Sequence, residues 1–441
     1  MRFYGREKES EQLAQWDALT SESGQMTIVL GRRRVGKTTL IKRSLIQRSS
    51  TSSLPLYFFV AKKSEALLCA EFMEIVARSL GQEIPGDFKR FKEVFLYVIQ
   101  AAENRSITLI IDEFQEFLRV NSSIYSEMQD IWDSYKDRCH LHLVLCGSVY
   151  SLMKRIFEDS REPLFQRANH RMFVRPFDVD TQKLIYREHA PQTSNSDFLV
   201  FYAVAGGIPR YIELLLEEGA FSSQQIIDAT LKENSFFLDE GRNVTVEEFG
   251  RDYATYFSVL SLIASGKSSR AQIEGTLERS VGPYLEQLES EFSYVRRVTP
   301  LFSKPTTRQI RYAVNDNFLT FWFRYIYRNR SAVELGNYDY VRQAIARDFP
   351  SYLGRVLERY FIDKLAISGE FSSLGQWWKG NGTDEIDMVA VNEMERVLLF
   401  GDIKLNPDKL SLHVLEKKAA SIVAAHQDYE VTFKGFSLED M

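Results

Sequence analysis

The sequence predicts an α/β protein that begins with a parallel sheet flanked by helices, and three observations predict it. An apolar run at residues 26–30 leads directly into Gly31-Arg32-Arg33-Arg34-Val35-Gly36-Lys37-Thr38, and residues 38–46 continue as a helix. A second apolar run, 107–111, ends in Asp112 and Glu113, and a third, 141–146, ends in Gly147-Ser148. Short unbroken apolar runs are the pattern of strands buried on both faces of a parallel sheet.

The first connection has the spacing of a phosphate-binding P-loop. Gly31 and Gly36 let backbone N–H groups turn inward around phosphate oxygens, where side chains would crowd the ligand. Arg32, Arg33, Arg34 and Val35 form the rest of the loop, and Thr38 and Thr39 open a helix whose N-terminus favours anions. Lys37 is expected to reach the β- and γ-phosphates and Thr38 to offer its hydroxyl to Mg²⁺. The second run supplies the matching acids, in the manner of a Walker B strand. Asp112 is expected to hold Mg²⁺ through water, and Glu113 to orient and deprotonate an attacking water. Two acids also suit the first turn of any helix by dipole energetics alone. Ser148, at the end of the third run, is expected to be a polar sensor for the γ-phosphate. ATP and Mg²⁺ are therefore the expected cofactors.

Together these residues resemble the archaeal-type ATPase family within the AAA+ and STAND branch of P-loop proteins. Phe3-Tyr4-Gly5-Arg6-Glu7 resembles the family's N-terminal box, which lies against the adenine. Gly206-Gly207-Ile208-Pro209-Arg210 resembles the Gly-x-Pro motif of the lid that closes over the nucleotide, which places Pro209 beside the cofactor. Arg167-Ala168-Asn169-His170-Arg171 lies where relatives carry arginines that stabilise transition-state charge, and Arg167 is the catalytic candidate. Surface charge for the arginines and an ordinary helix-to-helix turn for the glycines are the competing readings.

Length and composition agree with a multidomain protein. The chain has 441 residues, 44% of them hydrophobic, and a net charge of −5. No apolar run reaches membrane-spanning length and the start lacks an export signal, so the cytoplasm is the expected compartment and no membrane is involved. Cys69, Cys139 and Cys146 have neither metal-ligand spacing nor an even count, which fits buried thiols. The expected segments are an ATPase core at 1–180, a helical lid at 181–245, a winged helix-turn-helix with an aromatic junction at 246–330, and a C-terminal domain at 331–441.

The third segment is locally basic: residues 251–330 contain 12 Lys or Arg against 7 Asp or Glu, a net of +5. Helices are expected at 252–264, 269–277 and 281–289, then two alternating runs at 293–298 and 309–314, the order of a winged helix-turn-helix. Glu286, Glu289 and Glu291 on or beside the third helix would repel the floor of a DNA groove. The basic wing (Arg296, Arg297, Lys304, Arg308, Arg311) is the better contact for DNA. Winged helices also serve as packing modules or lids. The aromatic run 316–327 places Phe318, Phe321, Trp322 and Tyr325 at helical spacing, as for a buried docking face.

A second constellation occupies the last hundred residues. Glu358 lies in a helix at 352–366, Asp387 in a strand at 385–391 that follows Trp377 and Trp378, and Asp402 and Lys404 at the end of a strand at 396–404. Acid, spacer, then acid-x-Lys is the layout of the PD-(D/E)XK nuclease fold. Two carboxylates on adjacent strands would hold Mg²⁺ against a scissile phosphate, and the lysine would activate or position water. Residues 402 and 404 point to the same side because strand side chains alternate. The segment resembles the restriction-endonuclease-like domain that follows the ATPase in this family, where Glu is common at the position of Asp402. Glu358 would be a further ligand or an orienting group. The competing readings are solvent-facing charges on an edge strand, or a nuclease fold kept as a binding platform. The expected function is an ATP-hydrolysing enzyme whose nucleotide state controls a DNA-acting C-terminal region. The alternative is a nucleotide-operated switch that recruits a protein partner, and assembly as a homo-oligomer stays open.

Overall fold

A computed structural model describes residues 2–47, 53–250, 253–380 and 384–441. The chain divides into two compact units, Met1–Arg175 and Pro176–Met441.

The first unit is built on five parallel strands: β1 (Gln25–Leu30), β2 (Leu54–Phe59), β3 (Ile107–Asp112), β4 (Leu141–Cys146) and β5 (His170–Phe173), in the order β2-β3-β4-β1-β5. β1, β3 and β4 are buried along their whole length, as their unbroken apolar runs require. β2 and β5 are the edges and are partly exposed, and their mixed composition, with Pro55 in β2, hid them in the sequence. Because the strands are parallel, the residues that follow β1, β3 and β4 collect along one edge of the sheet. The helix Lys37–Ile41 continues as a π-helical turn, Lys42–Ile46.

A buried polar chain stitches this sheet to the helix Glu7–Ala18. Asp17 Oδ1 accepts from Thr108 Oγ1 at 2.7 Å and lies 2.9 Å from His142 Nδ1, while His142 Nε2 lies 2.9 Å from Thr27 Oγ1. Each of these groups would be costly to bury alone, and each has a partner.

The second unit holds every later segment that the sequence separates. The predicted boundaries near 245 and 330 therefore fall inside one compact unit. Helices Tyr253–Ala264, Arg270–Leu277 and Gly282–Ser290 precede an antiparallel pair, β6 (Val295–Val298) and β7 (Arg311–Val314). The start expected for the first of these helices, Asp252, lies outside the described residues. The aromatic run forms Asn317–Phe321 and a π-helical turn, Trp322–Tyr327, with Phe318, Phe321, Trp322 and Tyr325 all buried. Trp322 Nε1 donates to Leu238 O at 2.9 Å, and Arg324 pairs with Asp348 at 2.5 Å. These aromatic rings are packing, not an open stacking platform.

The helix expected at 352–366 runs from Tyr338 to Ser368 and passes through Pro350. That proline and the polar residues around it interrupt the apolar periodicity, which hides the first half in the sequence. A four-stranded sheet follows: β8 (Ser373–Lys379), β9 (Asp384–Asn392), β10 (Val397–Ile403) and β11 (Glu430–Phe436), in the order β11-β10-β9-β8. β8, β9 and β10 are antiparallel neighbours, while β10 and β11 are parallel and joined through the helix Leu412–Ala425. Among the described residues, no helix is long and apolar enough to cross a membrane, and Cys69, Cys139 and Cys146 are buried and unbridged.

Candidate functional site

The loop after β1 has the shape that its glycines imply. Gly31 sits at φ +152°, and a Cβ there would come within 2.5 Å of Val174 O. Gly36, at φ +87°, starts the helix Lys37–Ile41. Lys37 is buried and its ammonium donates to Gly31 O at 2.8 Å and Arg32 O at 3.0 Å, so it lies within the curve of the loop. Val35 is buried beneath, Arg32, Arg33 and Arg34 are partly exposed, and Thr39 faces outward. The N-terminal box braces the loop: Arg6 Nη2 donates to Val35 O at 3.2 Å and Arg175 O at 2.6 Å, and the Arg43 guanidinium lies 5.0 Å from the Phe3 ring.

Asp112 is the hub of the site. Its Oδ2 accepts from Thr38 Oγ1 and Tyr57 OH, both at 2.8 Å, and its Oδ1 accepts from Glu113 N and Cys146 Sγ, both at 2.9 Å. Glu113 has left-handed backbone at φ +56°, and its Oε2 accepts from Ser148 Oγ at 2.7 Å and Gln115 Nε2 at 2.5 Å. Ser148 thus engages the carboxylate expected to act on water. The residues present fit a Mg²⁺-bound nucleotide. A hydroxyl and a carboxylate stand together as hard oxygen donors, next to a glycine cradle that a Cβ would fill.

Tyr57, Gln115 and Cys146 were not singled out in the sequence as partners of the acids. β2 pairs Tyr57 with Ile110 and Phe59 with Asp112, so Tyr57 shares a face with Asp112. That register between parallel strands has no local sequence signal. Arg167 donates to Asp133 Oδ2 at 3.1 Å and Phe165 O at 3.2 Å, and Arg171 pairs with Glu158 at 3.5 Å. None of these partners is a phosphate-loop or Walker-type residue. In the second unit, Gly206 and Gly207 have φ of +58° and +74°, and Pro209 opens the helix Pro209–Glu217. A Cβ on Gly207 would lie 2.3 Å from Phe177 O, so locally this is a tight helix-to-helix turn that requires glycine.

The C-terminal acids come together around one lysine. Lys404 Nζ lies 2.5 Å from Asp387 Oδ2 and 2.7 Å from Asp402 Oδ1. Asp387 also accepts from Ile403 N at 2.9 Å and Asp402 from Ser411 N at 2.8 Å. Burial works against the charge on Lys404, but the two carboxylates outweigh it and hold its affinity for the proton above the ordinary lysine range. Glu358 accepts from Gln376 Nε2 at 2.9 Å, and burial, then Asp387 and Glu385, push its carboxyl up to about 8. Among the described residues, no group of three or more His, Cys, Asp or Glu side chains is arranged to hold a metal ion. With an ammonium between them, Asp387 and Asp402 do not fit a metal as they stand.

Part of the basic wing is engaged within the second unit. Arg297 pairs with Glu289 on the preceding helix at 2.9 Å, and Arg311 pairs with Glu385 at 2.6 Å while lying 4.2 Å from the Trp378 ring. Arg296 is half-buried with its Nε away from solvent, and burial pushes its guanidinium down to about 10. The physical reason is proximity: the loop between β6 and β7 reaches β8, where Leu301 N donates to Gln376 O at 2.9 Å. Lys304 and Arg308 remain exposed.

Two stretches of the chain match known families. Residues 3–215 match a family described as an ATPase domain predominantly from Archaea, and residues 322–421 match archaeal and bacterial proteins of unknown function. The uncharacterized protein MJECL04 of Methanocaldococcus jannaschii is 26% identical over 412 residues, covering 91% of this chain and 87% of that protein. The Walker-type ATPase PABY2304 of Pyrococcus abyssi shares the fold with a TM-score of 0.55 and 21% identity, across 73% of this chain and 96% of that one. The ORC2 protein of Aeropyrum pernix, solved as ADPNP–ADP complexes, has a TM-score of 0.51 and 16% identity, across 78% of this chain and 96% of that one. With the loop, the Thr38–Asp112 pair and the braced Glu113, residues 3–215 thus match an ATPase domain predominantly from Archaea in sequence and carry the arrangement of a nucleotide-dependent ATPase.

Proposed function

We propose that the chain hydrolyses ATP in its first unit and uses its nucleotide state to control a DNA-acting second unit with a nuclease-like centre. Gly31 to Thr39 hold the phosphates, with Lys37 as their cation. Mg²⁺, when bound, supplies charge neutralisation at the phosphate oxygens, and Thr38 and Asp112 would hold it. Glu113 orients the attacking water and takes its proton, while Ser148 and Gln115 keep that carboxylate aimed.

The observation that carries the DNA-acting part is the cluster of Asp387, Asp402 and Lys404, with Glu358 beside them. Acids and a lysine on adjacent strands are the groups that phosphodiester cleavage needs. Cleavage at this centre requires Lys404 to leave the space between the two carboxylates. The test is DNA cleavage in the presence of ATP and Mg²⁺ or Mn²⁺, comparing wild type with Asp387→Ala. Loss of cleavage in the variant supports the centre, and equal cleavage removes it.

A second reading is favoured by the ion pairing itself. Lys404 already pairs with both acids, and Arg297 and Arg311 are engaged internally, as suits a nucleotide-operated switch that recruits a protein partner or a second copy of the chain. DNA affinity measured against salt separates the two. A steep linear fall of log K with log salt supports the DNA-acting reading, and no measurable binding at low salt supports the switch.

A further inference from the structure

A carboxylate offers about four lone-pair positions to donors. All four on Asp112 are met by protein groups: Glu113 N and Cys146 Sγ on Oδ1, Thr38 Oγ1 and Tyr57 OH on Oδ2. A Mg²⁺-bound water can therefore reach Asp112 only if one donor moves aside. Glu113 N is main chain, Thr38 belongs to the helix that follows the phosphate loop, and Cys146 is fully buried on a central strand. Tyr57 differs from all three. It stands on β2, the edge strand, with its ring partly exposed, and a rotation about its side chain frees the oxygen without disturbing the backbone.

We propose that Tyr57 is a positioning residue for the ATPase reaction, which holds Asp112 before loading and yields its place on Oδ2 to a water of the Mg²⁺ shell. Lys42 sets the position of the ring, with its ammonium 4.1 Å from the ring centroid. Lys42 lies in the π-helical turn that continues the helix behind the phosphate loop. The loop helix and the ring that guards Asp112 are thereby linked. The Tyr57 hydroxyl donates to Asp112 Oδ2 at 2.8 Å.

This role rests on the reading that the first unit binds a Mg²⁺–nucleotide, and the experiment separates the two. The affinity of the full chain for a non-hydrolysable ATP analogue is measured against free Mg²⁺, for wild type and Tyr57→Phe. With no hydroxyl to displace, Tyr57→Phe should reach half-maximal affinity at about tenfold lower Mg²⁺, the size expected for one hydrogen bond to a charged acceptor, with its affinity in EDTA unchanged. Lys42→Met, which keeps the hydroxyl but loosens the ring, should move the requirement in the same direction by less, and serves if Tyr57→Phe folds poorly. A Mg²⁺ requirement that is unchanged or raised in both variants overturns the displacement role. Wild type without any Mg²⁺-dependent nucleotide binding overturns the Mg²⁺–nucleotide reading as well.

Discussion

Replacing Lys404 by Met removes a cation shared by Asp387 and Asp402 and leaves two neighbouring carboxylates facing each other. The acids are largely buried, at 17% and 15% side-chain exposure, while Lys404 retains 37%. A hydrogen bond to a charged group contributes ~1.5–3 kcal/mol, and stripping one partner from a fully buried pair costs about 3–5 kcal/mol. Exposure of the lysine screens part of this, so the loss in Lys404→Met should be about 2 kcal/mol. For a unit of this size, with ~2–4 °C per kcal/mol, the thermal midpoint should fall by about 4–8 °C. Tryptophan fluorescence is a suitable probe, because Trp377 and Trp378 lie in β8 of the same sheet. Lys409→Met, at an exposed position, is the control and should leave the midpoint in place. A Lys404→Met midpoint that is unchanged or raised refutes the reasoning, since it would mean that the lysine does not hold the two acids together.

Glu113→Gln should lower ATP turnover by ~10²–10⁴ while nucleotide binding survives, because only the proton acceptor is lost; unchanged turnover in a steady-state assay would mean that Glu113 is not the base. Ser148→Ala should reduce kcat by about tenfold, the equivalent of ~1.5 kcal/mol for a hydrogen bond to a charged group, with little change in KM. Asp17→Ala should lower the melting point of the first unit, by ~2–3 kcal/mol of stability, because Thr108 and His142 lose their shared buried acceptor; Asp17→Asn should lose less. For Glu358 the folded pKa, about 8, lies above the ordinary value of 4.5, so the native state binds the extra proton between those limits. Stability from this group is therefore greatest below pH 4.5 and falls as pH rises towards 8. Glu358→Gln should gain on wild type in thermal midpoint as pH rises from 5 to 8.5, and a constant difference across that range would count against a raised carboxyl.

The ATPase core was legible because its chemistry is local. Gly31, Gly36, Lys37 and Thr38 are fixed by spacing along one loop, and β1, β3 and β4 announce themselves as unbroken apolar runs. The edge strands were not legible, since a half-exposed strand such as β2 has no continuous apolar signature. Nor was the extent of the helix Tyr338–Ser368, whose Pro350 reads as a break. The basic wing shows the limit in another way. Net charge was correctly counted, but the count does not say that Arg297 and Arg311 are already paired with Glu289 and Glu385.

The sequence by itself determined the phosphate loop, the acids expected to serve it, and the order of acids and lysine near the C-terminus, because each is carried by residues close together in the chain. Only the tertiary structure decided what those groups touch. Strand register brings Tyr57 onto Asp112, Ser148 onto Glu113, and Lys404 between Asp387 and Asp402. Apart from Lys404 with Asp402, such contacts join residues 17 to 74 positions apart, from Asp387 with Lys404 to Thr38 with Asp112. They depend on which strands lie side by side and in what register, and that is settled by how the whole core packs. Residue identity supplied the chemistry, and packing decided which donor each carboxylate meets.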